Sequence, residues 1–230
     1  MAAKKVLLVL TSNDKLGEGG DQTGWYLPEL AHPFEVFSKA GFAMTLASPK
    51  GGVAPIDLGS VDASKEDIVS VEFWNNPDKK KLTEETVPLA EVKAEDFDAL
   101  FVVGGFGTMW DLPDNEDLQK LIRDIYEKNG VISAVCHGPC ALVNVTLSDG
   151  SALVKDKQVA AFTNEEEDAV QRRSIVPWTC EDKMMERGAI YTKRGVFQDH
   201  SIVDGRLITG QNPPSANSTA ASVVKALSAA

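Results

Sequence analysis

At 230 residues, with 43% hydrophobic and 25% charged side chains, the chain has the length and composition of a folded globular protein with room for a sizeable core. A formal net charge of −11 disfavours nucleic acid and anionic membrane as partners, and three cysteines make no disulfide framework. No apolar run reaches the length of a membrane span, and Met1-Ala2-Ala3-Lys4-Lys5 leads into a strand pattern too short and too early for a signal peptide, so a cytoplasmic protein is expected, with access to the nucleus left open.

Lys5 to Thr11 is a continuous apolar run of the kind found in central parallel strands. A loop rich in Gly and Asp follows from Ser12 to Gly24. From Tyr26 to Ala40 apolar residues recur at helical spacing (Leu27, Leu30, Ala31, Phe34, Phe37), and Gly41 stops the helix as a C-cap. Phe42 to Ala47 predicts the next strand, completing a βαβ unit with a right-handed crossover. Pro49 to Val92 is irregular; it reads as an insertion of short helices over one side of the core, with Lys79-Lys80-Lys81 as a solvated face and no chemistry. Asp98 to Val103 returns to buried-strand character, and Asn115 to Asn129 to helical spacing (Leu118, Leu121, Ile122, Ile125), stopped by Gly130. Val131 to Val135 predicts a strand buried on both faces. Val159 to Phe162 is a short strand, and Glu165-Glu166-Glu167-Asp168 opens a helix where acidic residues suit the dipole. Tyr191 to Val196 and Ser201 to Val203 read as sheet-edge strands, Arg206 to Thr209 as a buried strand, and Ser215 to Leu227 as a closing amphipathic helix. The alternation predicts one α/β domain over residues 1–230 with a doubly wound, mostly parallel sheet, whose ligand site lies at the carboxyl ends of the strands.

The strand Val131 to Val135 ends abruptly at Cys136-His137-Gly138-Pro139, after which Cys140-Ala141-Leu142-Val143 predicts a helix with Pro in its first turn. That sequence makes a nucleophile elbow. It predicts an exposed Cys136 sulfur beside the free N–H groups of a helix N-terminus, where a thiolate is stabilised. A cysteine at a strand end is equally a small apolar filler, and the Gly-Pro pair is what tips the balance toward a nucleophile. Cys140 lies one helical turn away and Cys180 is remote in sequence. His32, His137 and His200 are scattered, with no metal-ligand spacing, and Gly104-Gly105-Phe106-Gly107 lacks both the Walker lysine and a dinucleotide fingerprint.

Ala134-Val135-Cys136-His137-Gly138-Pro139 resembles the nucleophile elbow of the ThiJ/PfpI superfamily, relatives of the class I glutamine amidotransferases. Gly104 to Pro113 resembles that family's second glycine loop, Thr209-Gly210-Gln211-Asn212-Pro213 its C-terminal signature, and Thr23 to Phe37 the first helix of its glyoxalase III and heat-shock-chaperone-like branch. The resemblance implies a flavodoxin-like, class I glutamine amidotransferase-like fold and a likeness to homodimers. It implies Cys136 as nucleophile and the N–H groups of Gly105 and His137 as oxyanion donors. Glu29 is implied as a carboxyl beside the sulfur that moves a substrate proton; an apolar setting would raise its pKa toward neutrality. An acid should orient His137, and counting from Phe162-Thr163 favours Glu167, with Glu166 and Asp168 left open. Phe106 stands where the branch commonly has His, which makes the substrate pocket more apolar.

The implied activity is that of a cofactor-independent glyoxalase III, a lyase of the D-lactate dehydratase type. It converts a small 2-oxoaldehyde, methylglyoxal, to lactate without glutathione, metal or organic cofactor. Three other functions fit the same resemblance: a stress-response holdase chaperone resting on an exposed apolar patch, a redox sensor acting through oxidation of Cys136, and a cysteine peptidase or amidase needing an open groove.

Overall fold

The computed structural model describes residues 3–229. Seven strands form the central sheet: β1 (Lys5–Val9), β2 (Ala43–Ser48), β3 (Val87–Pro88), β4 (Ala99–Val102), β5 (Val131–Val135), β6 (Ser201–Asp204) and β7 (Leu207–Gly210). Their spatial order is β6-β7-β5-β4-β1-β2-β3, and every pairing is parallel except that of the edge strand β6 with β7. The chain leaves β1 for β2 and β3 on one side, then returns to β4 on the other. The order therefore reverses between β1 and β4, the place where open α/β sheets bind ligands.

Alternation along the strands divides the core in two. Leu7, Val9, Leu100, Val102, Ile132 and Ala134 face one layer, with Leu118, Leu121, Ile122 and Ile125 of α2 (Glu116–Glu127) packed against them; α2 follows α1 (Leu27–Lys39) in the chain. Val6, Leu8, Ala99, Phe101, Val131 and Val135 face the other. There α1 supplies Leu27, Leu30, Ala31 and Phe37. A short helix, α3 (Asn164–Ala169), precedes the last, α4 (Ala216–Ser228), which lies beside α1 in the second layer and contributes Ala216, Ala220, Val223 and Leu227.

The insertion between β2 and β3 holds three short helices, Leu58–Ala63, Ile68–Asn75 and Pro77–Glu84, capped by the side chains of Asp57, Asp67 and Asn76. It is tied to the start of α1: Trp25 N–H donates to Pro55 O at 2.9 Å, and Leu27 N–H to the Ser60 hydroxyl at 3.0 Å. Its basic run is not wholly solvated. The Lys79 ammonium lies 5.9 and 5.8 Å from the ring centroids of Phe34 and Phe73, and that of Lys80 lies 4.6 Å from Trp74, so two of the three charges cover aromatic surface.

Three expectations change. The segment after Cys136 is a five-residue 3-10 helix, Gly138–Leu142, rather than the start of an α-helix. The strand expected over Val159 to Phe162 is only Gln158–Val159, paired in parallel with Ile190–Tyr191 in a separate two-stranded ladder. Tyr191 to Val196 accordingly adds nothing to the main sheet. Residues 192–199 are irregular, because Gly195 and the polar residues around it find partners in side chains instead of a neighbouring strand.

Phe101 is fully buried at the centre of the sheet, its ring 5.8 Å from that of Phe37. Phe101→Ala should cost about 3–5 kcal/mol of unfolding free energy. Val203→Ser, on the edge strand and 54% exposed, should change it by no more than about 0.5 kcal/mol. Denaturant midpoints measure both, and equal losses would contradict a stability centred on the sheet's middle strands.

Candidate active site

Cys136 ends β5 on a sharp turn with φ 61°, a left-handed conformation rare for a residue with a side chain. Holding it there costs about 1–3 kcal/mol, so the surroundings must over-determine it. They do: Cys136 N–H donates to Gly210 O at 2.9 Å, and its carbonyl accepts Phe162 N–H at 2.8 Å. The turn throws the sulfur away from the sheet toward the start of α1.

Glu29 waits there, in the first turn of α1 and fully buried. Tyr26 N–H donates to Gly104 O at 3.1 Å, which fastens the entrance of α1 to the loop after β4. Gly104 is required by contact, since a Cβ on it would run into the Glu29 carboxyl and lie 2.6 Å from Val135 O. Gly105 has φ 109°, and a Cβ there would lie 2.8 Å from Tyr26 N. The N–H groups of Gly105 and His137 donate no hydrogen bond among the described residues, so both are available to a ligand oxygen.

Electrostatically the site is unlike the one expected from the sequence. Cys136 is 3% exposed. Burial, followed by the charge of Glu29 beside it, pushes its thiol well above the ordinary range, and a five-residue 3-10 helix offers too little dipole to reverse that. Glu29 is likewise raised well above the ordinary carboxyl range, first by burial; the Cys136 thiol and Gly104 N–H that face it offset only part of the rise. Neither carboxyl oxygen has a partner at full hydrogen-bond geometry among the described residues. Two acids that penalise one another's ionisation hold a proton between them. Burial and these same neighbours lift the Tyr26 hydroxyl to about 12.

His137 lies across the sulfur from Glu29. Its Nδ1 is 3.3 Å from Cys136 Sγ and its Nε2 is 2.8 Å from Glu167 Oε1. With Nε2–H donating to the carboxylate, Nδ1 keeps a lone pair for the thiol proton. The imidazole packs against both Phe106 and Phe162, with centroids at 4.3 and 4.4 Å, and those two rings meet edge to face at 6.3 Å. Of the three acids in α3 that could orient the histidine, Glu167 is thus the one that reaches it. Asp168 is exposed and pairs with Arg173 at 2.9 Å.

Glu166 has a different task. Its Oε2 accepts the N–H and hydroxyl of Thr163 at 2.9 and 3.0 Å, completing a capping box on α3. Its Oε1 accepts Phe197 N–H (2.8 Å), Gln211 Nε2 (3.1 Å) and Asn212 Nδ2 (2.8 Å). The capping box was readable as Thr163-x-x-Glu166; the partners from 45 residues away were not. Cys180, remote in sequence, lies beneath the site with its sulfur 3.9 Å from His137 O. A cavity of about 110 Å³ is bordered by Tyr26, Glu29, Gly105, Phe106, Cys136 and His137, with Phe162, Val170, Phe197 and Pro213 completing its lining. Every residue singled out in the sequence for the site therefore borders this space except Glu167, which stands behind His137.

Residues 26–226 match the DJ-1/PfpI family. The chain is 36% identical to glyoxalase 3 of Candida albicans, over 96% of this chain and 98% of that protein. It is 37% identical to the glutathione-independent glyoxalase HSP31 of Saccharomyces cerevisiae, over 99% of each. Among solved structures, glyoxalase III of Candida albicans superposes with a TM-score of 0.88 at 33% identity, covering 97% of each chain. The 24 kDa rapid encystment protein of Francisella tularensis superposes with a TM-score of 0.93 at 38% identity, covering 97% of this chain and 99% of that one.

A buried carboxyl without full partners costs stability when it ionises. Because Glu29 is raised above its unfolded value of 4.5, its favourable contribution is present below that pH and is lost as pH rises through the raised value. Glu29→Gln never carries the charge. Its melting temperature should therefore gain on wild type between pH 5 and pH 8.5. A relief of about 1 kcal/mol or more corresponds to about 2–4 °C or more in a chain of this size. Scanning calorimetry at both pH values checks this, and a wild type that gains on the variant as pH rises would contradict the burial account.

Proposed function

The chain belongs to the DJ-1/PfpI family, and from that footing we propose that it is a glutathione-independent glyoxalase converting methylglyoxal to lactate. The observation that carries the reading is the convergence of a thiol, a high-pKa carboxyl, a histidine with its own acid and two unengaged N–H groups on one cavity of about 110 Å³. The full-length similarity to proteins named as glyoxalases supports it.

His137 Nδ1 takes the Cys136 proton as the sulfur attacks the aldehyde carbon, and Glu167 stabilises the imidazolium. The aldehyde oxygen is received by the N–H groups of Gly105 and His137, then protonated from His137, giving a hemithioacetal. In carboxylate form Glu29 removes the hydrogen from that carbon; the electron pair passes to the ketone oxygen as an enediolate, the hydroxyl proton of the first carbon moves to that oxygen, and Glu29 returns its proton to the neighbouring carbon. One carbon is oxidised to a thioester and the other reduced to an alcohol, so no external electron acceptor is needed. Water then adds to the thioester, the carbon–sulfur bond breaks, and the thiol regains its proton. Overall one water is consumed. Glu29 is the only carboxyl among the lining residues. Proton return from that one side makes lactate of a single hand, in keeping with a lyase of the D-lactate dehydratase type.

A raised carboxyl is well suited to this work, since its conjugate base is stronger than that of an exposed glutamate. The rival functions fit less well. A peptidase needs a groove that takes a polypeptide, and this cavity measures about 110 Å³. A peroxide sensor needs an accessible thiolate, and this thiol is buried and raised. A holdase role asks only for exposed apolar surface; Val53, Leu58, Ile68 and Leu82 of the insertion supply some, and this role does not compete with the enzyme reading.

Cys136→Ala should abolish lactate formation from methylglyoxal without glutathione, while Cys140→Ala keeps most of it. Glu29→Gln should accumulate a protein-bound aldehyde adduct, visible by intact mass, with lactate output down by about 100-fold or more. In wild type the acid limb of kcat/KM should lie above the ordinary glutamate range of about 4.3, because only ionised Glu29 can accept the proton. Full activity in Cys136→Ala, or normal lactate from Glu29→Gln, would overturn these roles.

A further inference from the structure

Residues 192–199 belong to neither helix nor strand, and most of them are exposed, yet they are fastened at several points. Gln211 Oε1 accepts Arg194 N–H at 2.8 Å, and its Nε2 donates to the carbonyls of Arg194 and Gly195 at 3.3 and 3.4 Å. Asn212 Nδ2 donates to Gln198 O at 2.7 Å. Between these ties Phe197 N–H donates to the buried Glu166 carboxylate at 2.8 Å. Phe197 itself has φ 54°, a conformation that side-chain-bearing residues seldom adopt and that persists only where neighbours enforce it. Its ring, 6.2 Å from that of Phe162, borders the cavity while remaining 43% exposed.

The cavity is divided chemically. Cys136, His137, Glu29 and the Gly105 N–H converge at one end, and Tyr26 stands beside Glu29 there. Phe162, Phe197, Val170 and Pro213 offer no hydrogen-bonding side chain elsewhere on the lining. A 2-oxoaldehyde presents its reacting carbonyls to the polar end, which leaves its substituent against the apolar wall. The cavity, at about 110 Å³, is small and suits a short substituent.

We propose that residues 192–199 are a selectivity strap: Phe197, positioned through Glu166, makes the enzyme favour 2-oxoaldehydes carrying a small apolar substituent over those carrying a hydroxylated one. This rests on the glyoxalase reading. Phe197 is the specificity-determining residue, and Glu166 is a positioning residue that touches no substrate. A hydroxyl placed against the aromatic wall loses its water without gaining a partner. A methyl group placed there is removed from water at no such cost.

Steady-state kinetics on the whole chain decide it, with glyoxal, methylglyoxal and hydroxymethylglyoxal as substrates. Wild type should prefer methylglyoxal to hydroxymethylglyoxal by about 10-fold or more in kcat/KM, within the roughly 100-fold that an apolar pocket achieves against an added hydroxyl. Phe197→Ser should cut that ratio to about 3-fold or less, mainly by raising KM for methylglyoxal. Phe197→Leu should restore the ratio. Glu166→Gln, which keeps the ring but loosens its anchor, should lower the ratio in the same direction as Phe197→Ser. A wild-type ratio in Phe197→Ser, or a uniform fall in kcat for all three aldehydes, overturns the strap while leaving the glyoxalase reading in place. Consumption of none of the three by wild type overturns both.

Discussion

A thiol and a carboxyl buried against each other set the terms for the rest of this structure. Cys136 and Glu29 are both almost wholly withdrawn from solvent, and each makes the other harder to ionise. In such a pair one proton is shared between two strong bases, and a single negative charge is all the site tolerates. Holding the two groups together takes several unfavourable local choices. Cys136 accepts a left-handed backbone, Gly104 gives up its side chain to make room for the carboxyl, and Glu29 goes without full hydrogen-bond partners. The layers on either side of the sheet, and the insertion tied to the start of α1, keep these positions from relaxing. Stability is surrendered locally so that a proton can move where water does not compete.

The acids of α3 show how neighbouring residues of one chemical type come to do different work. Glu167 faces His137 and holds the ring with its free nitrogen toward the sulfur. Glu166, one residue earlier, faces the opposite way and accepts five hydrogen bonds from Thr163, Phe197, Gln211 and Asn212. It joins the capping box of α3 to the segment after β7 and to the irregular run 192–199. Glu166 thereby caps the helix that carries Glu167 to the histidine. The Thr209-to-Pro213 signature acquires a physical purpose: its amides are the donors that satisfy Glu166.

The central strands and the three long helices were legible because their apolar residues follow the periods of two and 3.6 that burial imposes. The elbow was legible because Cys-His-Gly-Pro after a buried run has few other uses. The thiol's environment was not. An exposed sulfur on an α-helical dipole follows from the local sequence, but α1, the loop after β4 and Phe162 enclose the sulfur from distant parts of the chain, and the following helix is a short 3-10 turn. Residues 191–196 carried a strand-like pattern yet lie off the main sheet: Tyr191 pairs in the small ladder with Val159, and the backbone of Arg194 and Gly195 is taken up by the Gln211 side chain. Phe162 read only as the end of a short strand and Phe197 carried no signal; only the fold brings one onto the imidazole and the other to the cavity wall. Propensity reads what a residue does with its neighbours, and these residues act at long range.

The shared proton is open to direct observation. Thiolate absorbance, titrated in wild type and in Glu29→Gln with Cys136→Ala as the blank, reports when Cys136 ionises. Burial against a carboxyl predicts that wild-type Cys136 ionises above the free-cysteine value of about 8.5, and that removing the Glu29 charge shifts the transition to lower pH. A wild-type thiolate already formed near neutrality, or a transition that ignores Glu29→Gln, would contradict the pairing on which this site is built.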